Sequence, residues 1–169
     1  VLGEQPPEVA ALIERRRALG LDLYDEVWEG EYHMAPAPRP RHGAVDARVG
    51  VVLNRFAMER GLIDSSPFNL GEPDDFRVPD RGVHRTMPTG AYAASAALVV
   101  EVVSPHDESW EKLPFYAAHD VDEVVMVDPD SEVVTWLVRE GDGYVPTERS
   151  EVLGCTVADF VAEISFPEP

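Results

Sequence analysis

Lysine is almost absent from this chain. Of its fourteen Lys and Arg residues, thirteen are arginine and one is lysine, Lys112. Arginine carries a wide planar head that never gives up its charge, so a position that keeps an amine suggests a need for a compact ammonium. The competing reading is one leftover solvated lysine in an arginine-using sequence. Cysteine is as scarce. The single Cys155 excludes an internal disulfide, and the lack of a CxxC or Cys/His cluster excludes a zinc site of that kind, which fits a reducing, cytoplasmic setting. Apolar runs stop at strand length, so no membrane association is expected, and Val1–Pro7 lacks the basic-then-apolar pattern of an export signal. There is no GxSxG, no glycine loop of phosphate-cradling spacing, and no internal repeat or low-complexity tract. The five histidines, His33, His42, His84, His106 and His119, lack the paired spacing of a zinc hydrolase and read as structural or loop residues, with His42 the best placed to face a site.

Positive charge is in short supply overall. A net charge of -18 and a pI near 4.4 argue against loose binding to polyanions, which depends on clustered Lys and Arg displacing counterions. The arginines crowd the first third, at Arg15, Arg16, Arg17, Arg39, Arg41 and Arg48, where they form either a local basic lip with His42 or pairs with the abundant acids.

What is present is enough for a single domain over residues 1–169, since 44% of the residues are hydrophobic. Residues 1–20 read as a helical cap, with Pro6-Pro7 at its start and Gly20 at its end. Leu21–Trp28 and Glu31–Met34 form a hairpin about Glu29-Gly30, and the proline-rich 35–40 stretch is a loop. Val45, Val49, Val52, Leu53 and Phe56 recur at helical spacing within Arg41–Arg60. Strand patterns follow at 68–70, 76–79, 83–85, 98–103, 121–127, 133–138 and 144–146. One helix, 110–119, interrupts them, and another, capped by Thr156, runs to Ile164. The expectation is an α/β fold (α+β), a mixed sheet flanked by helices. Leu98–Val103 is apolar on both faces except at Glu101, the mark of a central strand, and it should lie beside 121–127 with the helix as crossover.

A carboxylate on such a strand needs a partner. Asp80 in Val78-Pro79-Asp80 lies upstream, and Lys112 lies just after the strand; two carboxylates and an ammonium suffice for metal-assisted phosphodiester cleavage. Side chains alternate on a strand, so Glu101 and Val103 share a face while Val102 offers a carbonyl near the same point. Pro114 limits the following helix and puts Lys112 in its first turn, a poor place for a cation unless something else holds it there. Tyr116, one turn on, reads as core packing whose hydroxyl could brace the site.

Val78-Pro79-Asp80, Leu98-Val99-Val100-Glu101-Val102-Val103-Ser104-Pro105 and the stretch Trp110 to Pro129 together resemble the Uma-two family of restriction-endonuclease-like proteins, a bacterial branch of the PD-(D/E)XK nuclease superfamily. Tyr24 to Glu31 and Pro40-Arg41-His42 are similar to that family's hairpin and the opening of its long helix, and the likeness spans about Leu21 to Val161. The resemblance implies a restriction-endonuclease-like fold. It implies magnesium, with manganese as substitute, on Asp80, Glu101 and the Val102 carbonyl, with Lys112 orienting or activating water and Glu26 as the upstream acid. Val103 stands where the wider superfamily has a strand lysine, and Lys112 on the helix would take over that role. The expected function is a magnesium-dependent endonuclease that binds DNA weakly and with metal, acting as a homodimer. The alternatives are a non-catalytic oligomeric binding or regulatory member of the same fold, and a hydrolase of smaller phosphoesters.

Overall fold

Proline opens both long helices, where its missing N–H costs nothing and its φ suits the first turn. The computed structural model describes residues 6–104 and 108–168; His106 and Pro105 lie outside the described residues. Helix α1 (Pro7–Ala18) buries only Ile13. It is followed by β1 (Glu26–Trp28) and β2 (Glu31–His33), a hairpin shorter than expected. Glu29 and Gly30 both have positive φ, 46° and 84°, as the tightest two-residue hairpin turn requires. After the 34–39 loop comes α2 (Pro40–Glu59), which buries Val45, Val49, Val52, Leu53 and Phe56 along one stripe.

The chain then lays down β3 (Ile63–Ser65), β4 (Asn69–Glu72), β5 (Asp75–Arg77), β6 (Arg81–His84), β7 (Tyr92–Ala93) and β8 (Leu98–Val102). A 3-10 turn, Ser109–Lys112, leads into α3 (Leu113–Ala118), so the regular helix starts at Leu113 and Pro114 falls harmlessly in its first turn. Next come β9 (Glu123–Asp128), β10 (Val133–Glu140), β11 (Gly143–Pro146), β12 (Arg149–Ser150) and β13 (Cys155–Thr156). The last helix, α4 (Val157–Ala162), is capped by the Thr156 hydroxyl, which accepts from the Asp159 N–H, and stops two residues before Ile164.

The expectation of a mixed α/β fold holds, with two principal sheets rather than one. The larger runs β11-β10-β9-β8-β6-β3 and the smaller β2-β1-β5-β4-β7. Strand β8 is buried throughout and lies parallel to β9, with Glu101 opposite Met126, the crossover arrangement anticipated for them. Its Leu98, Val100 and Val102 pack on α2 and α4, whereas Val99 faces Phe115 and Tyr116 of α3. Two-residue alternation therefore turns Glu101 toward α3 as well.

Glu123, on β9, is a buried carboxylate with every need met. It accepts from Trp136 Nε1 at 2.8 Å, Ser150 Oγ at 2.6 Å and the N–H groups of Glu151 and Val152 at 2.8 and 3.0 Å, tying β9 to β10 and to the strand-helix unit at the end of the domain. Strands as short as β3, β7, β12 and β13 carry too few residues for an alternation pattern and are not visible in the sequence.

Candidate active site

The segment Val78-Pro79-Asp80 links β5 of the smaller sheet to β6 of the larger, so it runs along the seam between them. Pairing of β6 with β8 sets Arg81 opposite Val100, and one step beyond that register Asp80 comes abreast of Glu101 and Val102. The Val102 N–H donates to Asp80 Oδ2 at 2.8 Å. Antiparallel register alone thus brings together two acids far apart in sequence. The Val102 side chain packs in the α2 core, and the one oxygen of this residue is its backbone carbonyl.

Glu26 is held at the same seam by Val78 N–H at 2.7 Å and Trp28 Nε1 at 2.7 Å. Lys112, at the junction of the 3-10 turn and α3, sends its ammonium between the two glutamates: 2.8 Å from Glu26 Oε1 and 3.2 and 3.3 Å from the Glu101 oxygens. The side chain is only 11% exposed. This is the reason the lone lysine sits against its helix dipole, since carboxylates in front outweigh partial charge behind. The leftover-surface-lysine reading is therefore excluded.

Two further residues complete the arrangement. Tyr116 is fully buried and its hydroxyl donates to Glu101 Oε1. His42, in the first turn of α2, bridges Asp80 Oδ1 at 3.1 Å through Nε2 and Ser104 Oγ at 3.2 Å through Nδ1. Burial pushes the Glu101 carboxyl up to about 8, helped by the Asp80 and Glu26 charges and opposed by Lys112 and Tyr116. Burial also works against the Lys112 ammonium, but Glu101 and Glu26 outweigh it and hold the amine above its ordinary range. For His42 burial is likewise outweighed, here by the Asp80 hydrogen bond, and the imidazole is raised.

Glu26, His42, Asp80, Glu101 and Lys112 line an open cleft of about 600 Å³, with Tyr116 buried behind Glu101. Its acids are Glu26, Asp80, Glu101 and Glu108, against Arg39 and Lys112 as cations. Of the expected basic lip only Arg39 and His42 line the cleft, whereas Arg16 pairs with Asp25, Arg41 binds the Pro129 carbonyl and Glu132, and Arg48 reaches the Ser165 carbonyl. Two carboxylates and a backbone carbonyl are hard oxygen donors, a set that suits a magnesium ion retaining several waters. Among the described residues no group of three or more His, Cys, Asp or Glu side chains is placed to hold a metal ion.

A family model described as "Uma2: Putative restriction endonuclease" matches residues 22–165. The chain belongs to the Uma2 family. Among solved structures, the fold matches the "Crystal structure of a putative nuclease belonging to DUF820 from Anabaena variabilis ATCC 29413", with a TM-score of 0.63 and 16% identity over 83% of this chain and 91% of that one. At that identity the likeness establishes the fold. No curated protein matches.

Within this Uma2 protein the structure unites all four side chains singled out in the sequence, Glu26, Asp80, Glu101 and Lys112. Sequence reasoning undervalued Tyr116, whose i+4 spacing from Lys112 was the signal that it reaches the same carboxylate. The His42–Asp80 contact spans the long helix and the inter-sheet link, and no local pattern reports it.

Proposed function

We propose that this Uma2 protein is a metal-dependent endonuclease that hydrolyses DNA phosphodiester bonds. The observation that carries the reading is the placement of Asp80 and Glu101 side by side at a cleft, next to the chain's one lysine. Magnesium, or manganese in its place, would be held by Asp80, Glu101 and the Val102 carbonyl, and when bound it would polarise the phosphate and acidify a coordinated water. His42 and the Val102 N–H fix the Asp80 carboxylate, while Tyr116 and Lys112 fix Glu101. Lys112 stays protonated between its carboxylates, so its part is to neutralise developing phosphate charge and to orient water rather than to accept a proton. Glu26 keeps that ammonium in place. A homodimer would offer two such clefts to two strands.

Supercoiled plasmid incubated with purified protein and magnesium or manganese should be nicked, and Glu101→Gln should slow nicking by about 100-fold or more. Intact plasmid with the wild type across both ions would instead favour a non-catalytic binding or regulatory role. That second reading draws on the predominance of acids in the cleft and the net charge of -18, which oppose grip on a polyanion.

A further inference from the structure

A column of five flat groups stands beside the acidic cluster. The His33 ring stacks on Trp28, with centroids 4.6 Å apart and planes 17° from parallel. The Arg77 guanidinium lies 4.3 Å from the Trp28 ring centre and 4.0 Å from that of Phe115, and Phe115 stacks on His119 at 3.9 Å. Such spacings leave one neighbour per face, so the order is His33, Trp28, Arg77, Phe115, His119. Arg77 is 5% exposed and anchored by the Val27 carbonyl at 2.9 Å and Asp75 Oδ1 at 3.0 Å. Gly71 leaves the room Phe115 needs, since a Cβ there would lie 2.8 Å from the Phe115 ring.

The column ends at the cleft. Trp28 and His33 both line it, and Trp28 Nε1 holds Glu26, which in turn holds Lys112. Glu108 bonds His33 Nδ1 at 3.2 Å, in the plane of the ring, so it orients the imidazole without covering its outer face. Among the described residues no ring or guanidinium stacks on that face. Met34 and the alanine-proline run 35–38, which follow His33 in the chain, line the same cleft with apolar side chains.

We propose that the cleft admits an unpaired nucleobase, stacked on the outer face of His33, and hence that the substrate is a single-stranded or locally opened nucleic acid. This rests on the nuclease reading for the chemistry at Asp80 and Glu101. A flat π-face backed by a buried cation and an apolar wall recognises a planar base, and base stacking supports single-strand binding without a rim of lysines. A closed duplex keeps its base faces stacked inside and carries its phosphates outermost, and acids outnumber cations in this cleft.

The test measures fluorescence anisotropy of a labelled 12-nucleotide DNA with the wild-type protein in chelator at low salt. The single strand should bind at least roughly tenfold more tightly than its duplex. A single abasic nucleotide scanned along the strand should weaken binding at one position. His33→Ala should erase that position dependence, and His33→Phe, which keeps a flat face, should restore it. Equal affinity for strand and duplex, an abasic scan without a sensitive position, a full response in His33→Ala, or no binding of either DNA would overturn the proposal. Duplex cleavage that ignores abasic positions would leave the nuclease reading standing without this one. Base-dependent strand binding without cleavage in manganese would do the reverse.

Discussion

The Lys112 ammonium lies 2.8 Å from Glu26 and 3.2 Å from Glu101, and so joins strand β1 of one sheet to strand β8 of the other. The contact makes Lys112 structural as well as chemical. Removing one partner of a buried ion pair costs about 3–5 kcal/mol. Glu101 holds its proton up to about pH 8, so Lys112→Met should lose less than that, about 2 kcal/mol, near neutral pH, and more as pH rises through about 8. Arginine should rescue poorly, because its wider head does not fit between the carboxylates. Urea unfolding beside plasmid nicking checks both effects; wild-type stability and activity in Lys112→Met would remove both roles.

Glu101 makes stability depend on pH in an uncommon direction for an acid. Its folded value, about 8, stands above the ordinary 4.5, so between these limits the folded state holds a proton that the unfolded state has released. Its contribution is full below about 4.5 and is lost as pH rises through about 8. In chelator, Glu101→Gln should therefore gain stability relative to wild type as pH rises across that window, with a slope of at most about 1.4 kcal/mol per pH unit. Parallel wild-type and variant curves, from denaturant melts at several pH values, would refute the assignment.

The elements legible in the sequence were those whose periodicity reports burial. Helix α2 repeats apolar residues on one stripe, and β8 is apolar on both faces because it is covered on both. Glu101 stood out as a polar exception on such a strand, and Lys112 as the one lysine of the chain. Asp80 was legible as an upstream acid and Glu26 only in the light of family likeness, because the register and seam that bring them to Glu101 are non-local. The aromatic column was invisible for the same reason: His33, Trp28, Arg77 and Phe115 come from three strands and a helix.

Glu123 provides a test of the fold away from the cleft. Glu123→Ala would strand the Trp136 indole N–H, the Ser150 hydroxyl and two backbone N–H groups in the interior. Each unsatisfied buried donor costs about 1–3 kcal/mol, so a loss of about 3 kcal/mol or more is expected, with Glu123→Gln retaining part of it. Thermal unfolding checks this. Manganese affinity of the folded fraction should not change, since Glu123 is not among the residues that line the cleft.

Gly50 connects the middle of α2 to Asp80 through Arg81. A Cβ at Gly50 would fall 2.1 Å from the Arg81 guanidinium carbon. That guanidinium binds Asp46 through Nε at 2.6 Å and Nη2 at 2.9 Å, and its backbone directly follows Asp80. The head of Arg81 cannot swing aside without giving up Asp46, a carboxylate already raised by its burial. Gly50→Ala should cost about 1–3 kcal/mol as overpacking, although alanine is the better helix former. It should also weaken manganese binding at the cleft, because β6 starts at Arg81 and sets where Asp80 sits. Gly50→Ala paired with Arg81→Ala should recover part of the packing cost but not the metal affinity, measured by calorimetry on both proteins. Wild-type manganese affinity in Gly50→Ala would show that Asp80 is held by His42 and the Val102 N–H alone.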